Sequence, residues 1–339
     1  MKHEINLDSY PIHTDLAIDI IENKSDLEGV KQTIKTVDEI TITDVCLSKK
    51  NSLEKKEGNY ITIEFDDITD SDNYKKVKDV IILELKDIMR KMKIKKSDKC
   101  LFIGLGNSKS TPDSLGPKTA RDLLVTSHIY SLGKLDSNYR PVSVISPGVM
   151  GTTGIDTSDI IESLVTKIKP DFIIAVDALA SQSIDRVNKT VQMTDTGIHP
   201  GSGIGNERKE ISKSTIGIPV LALGVPTVVD ATVIVSDTIN YMYKHYAFNK
   251  EYSKDPKSKL TFNNVNYLNK NIEITENEKE QLFGLIGTLN EEEIKTLVNE
   301  VLTPINYNLM VTPKEIDFVI EKLATLISSS LNETLHNLD

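Results

Sequence analysis

The sequence predicts an α/β fold in which a mainly parallel or mixed sheet is flanked by helices. Four short apolar runs carry the sheet: "CLFIGLG" at 100–106, "PVSVIS" at 141–146, "PDFIIAVDA" at 170–178 and "IPVLALGVP" at 218–226. Runs of that length, rich in Ile, Val and Leu, suit strands covered on both faces. Helix-like stretches alternate with them, the order expected when helices cross over between parallel strands. The length of 339 residues and a hydrophobic content of 39% suffice to bury one large core.

Residues 1–15 are polar and interrupted by proline, and read as a detachable arm. From 16 to 66, "KTVDEITITDVCL" and "NYITIEFDD" alternate as strands do, separated by the polar turn "SKKNSLEKKEGN". Val77, Val80, Ile81, Leu85, Ile88 and Met92 recur at mostly three- and four-residue steps, which predicts an amphipathic helix over 72–95. A helix over 116–132 follows the first core strand. Another is expected in "DTSDIIESLVTKI", with Asp156 as its N-cap. "SQSIDRVNK" and "DATVIVSDTINYMYKHY" read as helical too. Residues 249–278 are charged, rich in Asn and weakly periodic, as in a solvated excursion. The tail from 279 to 336 reads as two or three helices, one started by "TPKE" at 312–315, where Pro313 suits a first turn.

Composition narrows the function. A formal net charge of −10 opposes direct nucleic-acid binding, which needs a basic surface. No window approaches the roughly 20 apolar residues of a membrane span, and the polar opening "MKHEINLDSYPIHTDL" does not read as a secretory leader. Cys46 and Cys100, the only cysteines, are too far apart for a zinc motif and fit ordinary thiols in a reducing compartment. The expectation is a soluble, cytoplasmic protein.

Open parallel sheets place their chemistry at the carboxyl ends of strands. The loop "GLGNSKSTPDSLGP" after the first core strand gives G-x-G but has Lys109 where a dinucleotide loop has its third glycine, and it lacks the phosphate-loop pattern. "GSGIGNERK" at 201–209 is no closer to either. Asp195-Thr196-Gly197 spells the triplet of pepsin-like proteases, but those need two triplets and this chain has one. Two aspartates stand out instead. Asp177 follows five apolar residues in "DFIIAVDA", and Asp113 lies in the loop after the preceding core strand. Brought face to face, such carboxylates separate their pKa values and provide a base and an acid at one pH. Alternatively, each caps a neighbouring helix. His199 reads either as a structural loop histidine or, with aspartates, as a metal ligand, although no H-x-x-x-H spacing supports the second. The glycine loops around Gly148 and Gly151 expose main-chain amides, and with His199 they form a candidate substrate groove or else tight turns.

Taken together, "GLGNSKSTPDSLGP", "YRPVSVISPGVMGTTGIDTSDII", "KPDFIIAVDALA", "DTGIHPGSGIGNERKEIS" and "GVPTVVDATVIVSDT" resemble the germination protease family of endospore-forming bacteria, with "NLMVTPKEID" and "LNETLH" matching further on. The resemblance implies an endopeptidase of unusual aspartic type that degrades small acid-soluble spore proteins in the spore core. It implies a phosphorylase/hydrolase-like fold related to hydrogenase-maturation endopeptidases, a homotetramer, and catalytic roles for Asp113 and Asp177 with no metal. It also implies an inactive precursor that cuts itself after an acidic residue followed by a large aliphatic and an alanine. Asp15, Leu16 and Ala17 stand in that order. Residues 1–15 would then be a propeptide and 16–339 a single protease domain with a helical C-terminal part over about 279–336. The residues after Asn107 and the segment 249–280 depart from the family pattern, which bears on substrate preference.

Overall fold

A mixed sheet organises the chain. The computed structural model describes residues 14–22, 27–53, 55–134, 136–200, 209–252, 274–302 and 309–336. Among them, one compact unit lies within His13–Val229 and Thr312–Asp339, and another within Asp230–Val311. The final helix thus belongs with the sheet, whereas the sequence reading grouped it with the other C-terminal helices.

In the larger unit the strands are β1 (Val30–Val37), β2 (Ile40–Leu47), β3 (Gly58–Glu64), β4 (Cys100–Gly104), β5 (Val142–Ile145), β6 (Phe172–Ser181), β7 (Thr190–Thr194) and β8 (Val220–Asp230). They lie in the order β1-β2-β3-β7-β8-β6-β4-β5. β8, β6, β4 and β5 run parallel, while β7 and the β1–β3 meander join antiparallel. The predicted strands of the parallel half are all present. Two features of the antiparallel half differ from the expectation. "KTVDEITITDVCL" is not one strand: Asp38 and Glu39 take positive φ values of 47° and 71° and turn the chain into a hairpin. "SQSIDRVNK" provides only a single 3-10 turn, Ile184–Arg186, and leads into the strand β7.

Side-chain alternation along β6 separates two faces. Phe172, Ile174 and Val176 join a core with the helices Ser71–Lys91 and Ile316–Leu335. Ile173 and Ala175 join a second core with Ile161 of the helix Thr157–Ile168. The first of these helices starts where Asp70 accepts hydrogen bonds from the main chain of Asp72 and Asn73. It then buries Val77, Val80, Ile81, Leu85 and Ile88, as the spacing predicts. Asp156 caps its helix through Ser158. The helix expected over 116–132 is split into Leu115–Arg121 and Ser127–Ser131. Thr126 interrupts it by donating to Arg140 O and accepting from Val142 N, so the chain turns at that point. Burial pushes the Cys100 thiol up to about 12, which makes it an inert packing group.

In the other unit the helix Ala231–Tyr252 packs with Glu291–Leu302, and Tyr243 meets Phe283 edge-on at 5.4 Å. The segment expected to be a solvated excursion falls mostly on 253–273, outside the described residues. Residues 1–13 of the polar arm lie outside them as well. No helix among the described residues is long and apolar enough to cross a membrane.

Candidate active site

β4 is shorter than its neighbour, and that difference builds the site. The last β4–β6 pair is Gly104 with Val176, after which β6 continues to Ser181. Leu105 N–H still donates to Val176 O at 2.8 Å. Beyond it, among the described residues no strand pairs with the edge of β6 that β4 would have covered. Main-chain groups of alternate residues point to the same edge of a strand, so Val176, Ala178 and Ala180 all address this one.

Asp177 lies inside β6, one residue past the end of β4, and is only 6% exposed. Its Oδ1 accepts from Ala178 N–H at 2.9 Å, which turns the carboxylate toward that edge. No helix begins near 180, so the capping alternative for this residue does not describe its position. Asp113 ends the single 3-10 turn Thr111–Asp113 that follows β4 and lies against β6. Asn107 N–H donates to both the carbonyl and Oδ2 of Asp113, each at 2.9 Å. The following helix has Ser114 at its N-cap and no side-chain cap, so Asp113 does not cap it. Thr227 of β8 donates to Pro112 O at 2.7 Å and accepts from Thr312, which ties the Asp113 turn to β8. Asp113 and Asp177 therefore stand at one carboxyl edge of the parallel sheet.

The glycines of the opening loop are spacers for this turn. A Cβ on Gly106, whose φ is +109°, would come within 2.1 Å of Asp113 O, and one on Gly116 within 2.2 Å of Leu105 O. The close approach of two main-chain segments requires them, rather than a phosphate.

Thr14–Ala17 occupies the same region. Asp15 N–H donates to Ala180 O at 3.3 Å, and Asp15 Oδ2 accepts from Ala180 N–H at 3.0 Å. Asp15 O accepts from Lys55 Nζ at 3.3 Å and from Gln192 Nε2 at 3.0 Å. Gln192 Oε1 accepts from Ala17 N–H at 2.7 Å. Leu16 and Ala17 are fully buried, and Leu16 packs with Ile18 and Leu179. Asp19, 1% exposed, pairs with Arg186 at 2.6 Å and accepts from Thr14, Ser181 and Gln182. A buried charge with that many partners is satisfied rather than reactive.

A cavity of about 410 Å³ adjoins the arm, with Asp15, Lys55, Gln192, His199, Glu210 and Gly224 among its lining. Gln192, Gly224 and Asp177 are directly paired across β7, β8 and β6, so their positions share one sheet face. Leu179 covers Gly224, whose Cβ would meet it at 2.4 Å.

The remaining predicted residues are placed apart. His199 lines the cavity with its Nε2 3.6 Å from Glu210 Oε1, while Gly148 and Gly151 lie after β5 and are not among the cavity's lining. Among the described residues no group of three or more His, Cys, Asp or Glu is arranged to hold a metal. Asp195 clips β7 to β3 by accepting from the main chain and side chain of Asn59 at 2.8 and 2.6 Å. Lys55, Gln192, Asp19 and Arg186 were not legible as site residues. Each is a single polar residue with no motif around it, and Gln192 meets Asp15 across 177 positions of sequence.

Two outcomes follow from this geometry. Gly106→Ala forces the Asp113 turn to move; unfolding titrations are expected to show a loss of roughly 1–3 kcal/mol together with reduced peptidase activity. Burial holds the Lys55 ammonium below its ordinary 10.5, partly offset by Asp15 and Asp19. Its folded pKa is thus below its unfolded one, so the unfolded chain binds more protons and stability rises as pH climbs through the folded pKa toward 10.5. Lys55→Met is expected to lack that rise when stability is measured across the alkaline range.

Comparison with known proteins assigns the chain. The germination protease family profile matches residues 11–338. A germination protease of Geobacillus sp. strain WCH70 is 46% identical over 99% of this chain and 96% of its own length. Those of Bacillus cereus ATCC 10987 and Oceanobacillus iheyensis are each 44% identical, over 99% and 96% of this chain and 97% and 95% of their own. Among solved structures, the NiFe hydrogenase maturation protease HycI of Thermococcus kodakarensis KOD1 aligns with a TM-score of 0.28 and 15% identity, over 42% of this chain and 80% of that one. The match along nearly the whole chain and the identity to its curated relatives make this protein a member of the germination protease family, and hence a peptidase.

Proposed function

We propose that the chain is an endopeptidase of aspartic type, with Asp113 and Asp177 as its catalytic pair, acting on small acid-soluble spore proteins in the spore core. The observation that carries the reading is that Asp177 lies in β6 just past the end of β4 while the turn that ends in Asp113 packs against the same strand. One carboxylate takes a proton from the attacking water. The other, protonated, donates to the carbonyl oxygen or to the leaving amine.

Residues 1–15 are, in this reading, a propeptide that the precursor removes from itself by cutting between Asp15 and Leu16. The placement of Asp15 on the edge that Asp177 also faces supports it. Along that edge Ala178, which holds the Asp177 carboxylate, and Ala180, which holds Asp15, are two residues apart, roughly 7 Å of strand. Assembly as a homotetramer is part of the same proposal, and light scattering of the purified chain checks it.

Incubating the full-length protein at falling pH and sequencing the new N-terminus tests the core of the reading. Leu16 is expected to become the first residue. Asp113→Asn and Asp177→Asn are each expected to slow self-cleavage and substrate cleavage by roughly a hundredfold or more while the protein remains folded. Normal activity in a folded Asp177→Asn protein would remove that residue from the mechanism.

A further inference from the structure

We infer that Asp19 is the counter-ion of the ammonium group that cleavage creates on Leu16, and that this pair takes the place of Thr14 in fastening the new chain end to β6. The inference rests on the proposed cut between Asp15 and Leu16. It makes Asp19 a positioning residue for the strand that carries Asp177.

One hydroxyl links the two groups in the uncut chain. Leu16 N–H donates to Thr14 Oγ1 at 3.1 Å, and that oxygen donates to Asp19 Oδ2 at 2.7 Å. A single side-chain oxygen therefore separates the Leu16 nitrogen from a carboxylate. The cut hydrolyses the amide: the Asp15–Leu16 C–N bond breaks and the hydroxyl of water joins the Asp15 carbonyl carbon. The Leu16 nitrogen takes the remaining proton of the water and the proton released by the new carboxyl group. Thr14 and Asp15 leave, Asp19 Oδ2 loses a donor, and the nitrogen that faced the bridge becomes a cation. Donor and acceptor then face each other with the bridge gone.

The segment that stays keeps both partners in position. Leu16 packs with Ile18 and Leu179, and Ala17 N–H is held by Gln192 Oε1 at 2.7 Å, so the Leu16 nitrogen is fixed from the side that remains. Asp19 is the third residue of the short helix Ala17–Glu22, a place from which a side chain can reach back to the main-chain nitrogen just before a helix. Asp19 Oδ2 also accepts from Ser181 Oγ at 3.0 Å and from Gln182 N–H at 2.7 Å, at the far end of β6. The pair thus ties the new terminus to that strand.

Charge makes an ammonium the fitting replacement. Asp19 is 1% exposed and shares its guanidinium, because Arg186 reaches Asp19 at 2.6 Å and Glu64 at 2.9 Å. Lys55, the other cation beside these groups, is directed at Asp15 O at 3.3 Å. A buried carboxylate stripped of one donor is costly, and a charged donor restores more than a neutral one. Thr14 and Asp15 line the cavity, so their departure lets water reach the nitrogen from one side and limits the desolvation of the ammonium. Pairing outweighs burial, and the amine holds its proton above the ordinary range.

The test titrates the Leu16 amine in the full chain, incubated until its own processing is complete and checked by N-terminal sequencing. Trace labelling with acetic anhydride across a pH series, read by mass spectrometry of the N-terminal peptide, gives the midpoint. A synthetic peptide copying Leu16–Ile20 serves as the internal reference, with a free amine that titrates at roughly 8. The wild-type midpoint is expected about one pH unit or more above that of the peptide, and Asp19→Asn should bring it down to the peptide's or below. A wild-type midpoint no higher than the peptide's overturns the inference, and that result stands alone if the variant does not fold. A midpoint equally raised in a folded Asp19→Asn protein overturns it too, by assigning the pairing to another group such as Glu64. The two readings fail differently: a new end other than Leu16 removes the proposed cut and the pair with it, whereas Leu16 as the new end with an ordinary titration removes the pair alone.

Discussion

The site depends on a mismatch in strand length. β4 stops at Gly104 while β6 runs on to Ser181, so among the described residues no strand pairs with the last stretch of β6 on that side, although β6 lies in the interior of the sheet. An open edge is a hazard for most proteins because it invites pairing with other chains. Here its first positions are used by Leu105 and by the Asp177 carboxylate, and the next by Asp15. The glycines at 106 and 116 let the chain turn tightly enough after β4 to set Asp113 beside that edge. Thr227 then fixes the turn from β8.

In the proposed reading the arm and the core share a boundary at Asp15–Leu16. Leu16, Ala17 and Ile18 are buried, and Asp19 is locked to Arg186, so the chain from Leu16 onward is structural. Asp15, by contrast, makes polar contacts to Ala180, Lys55 and Gln192. If the residues up to Asp15 were removed as proposed, the apolar packing of Leu16, Ala17 and Ile18 would stay in place. That arrangement suits a bond whose cleavage changes access to the site without dismantling the fold.

Much of the fold was legible in sequence because periodicity reports burial. The helix over Ser71–Lys91 and the four core strands follow from apolar spacing alone. The hairpin at Asp38–Glu39 was not legible, since its turn uses positive φ at two residues that are not the usual Asn-Gly pair. β7 was missed because "TVQMT" is short and follows a stretch with helical spacing, and missing it hid the antiparallel half of the sheet. Asp177 stood out because a carboxylate closing an apolar run is costly unless solvated, paired or hydrogen-bonded, and Asp113 because it lies in the loop after the preceding core strand. The local capping alternatives for them, open on spacing alone, do not describe the positions they occupy. Lys55 and Gln192 carried no such signal, because their role arises only when distant segments are packed together.

The most direct measurement of the central claim, that two carboxylates at this edge act as one acid–base pair, is the pH dependence of kcat/KM on a peptide substrate. A coupled pair that needs one ionised and one protonated member predicts a bell whose two limbs report macroscopic values of the pair, both set by carboxyl groups. A profile flat across the acidic range, or one governed by a single ionisation in the histidine range, would contradict it.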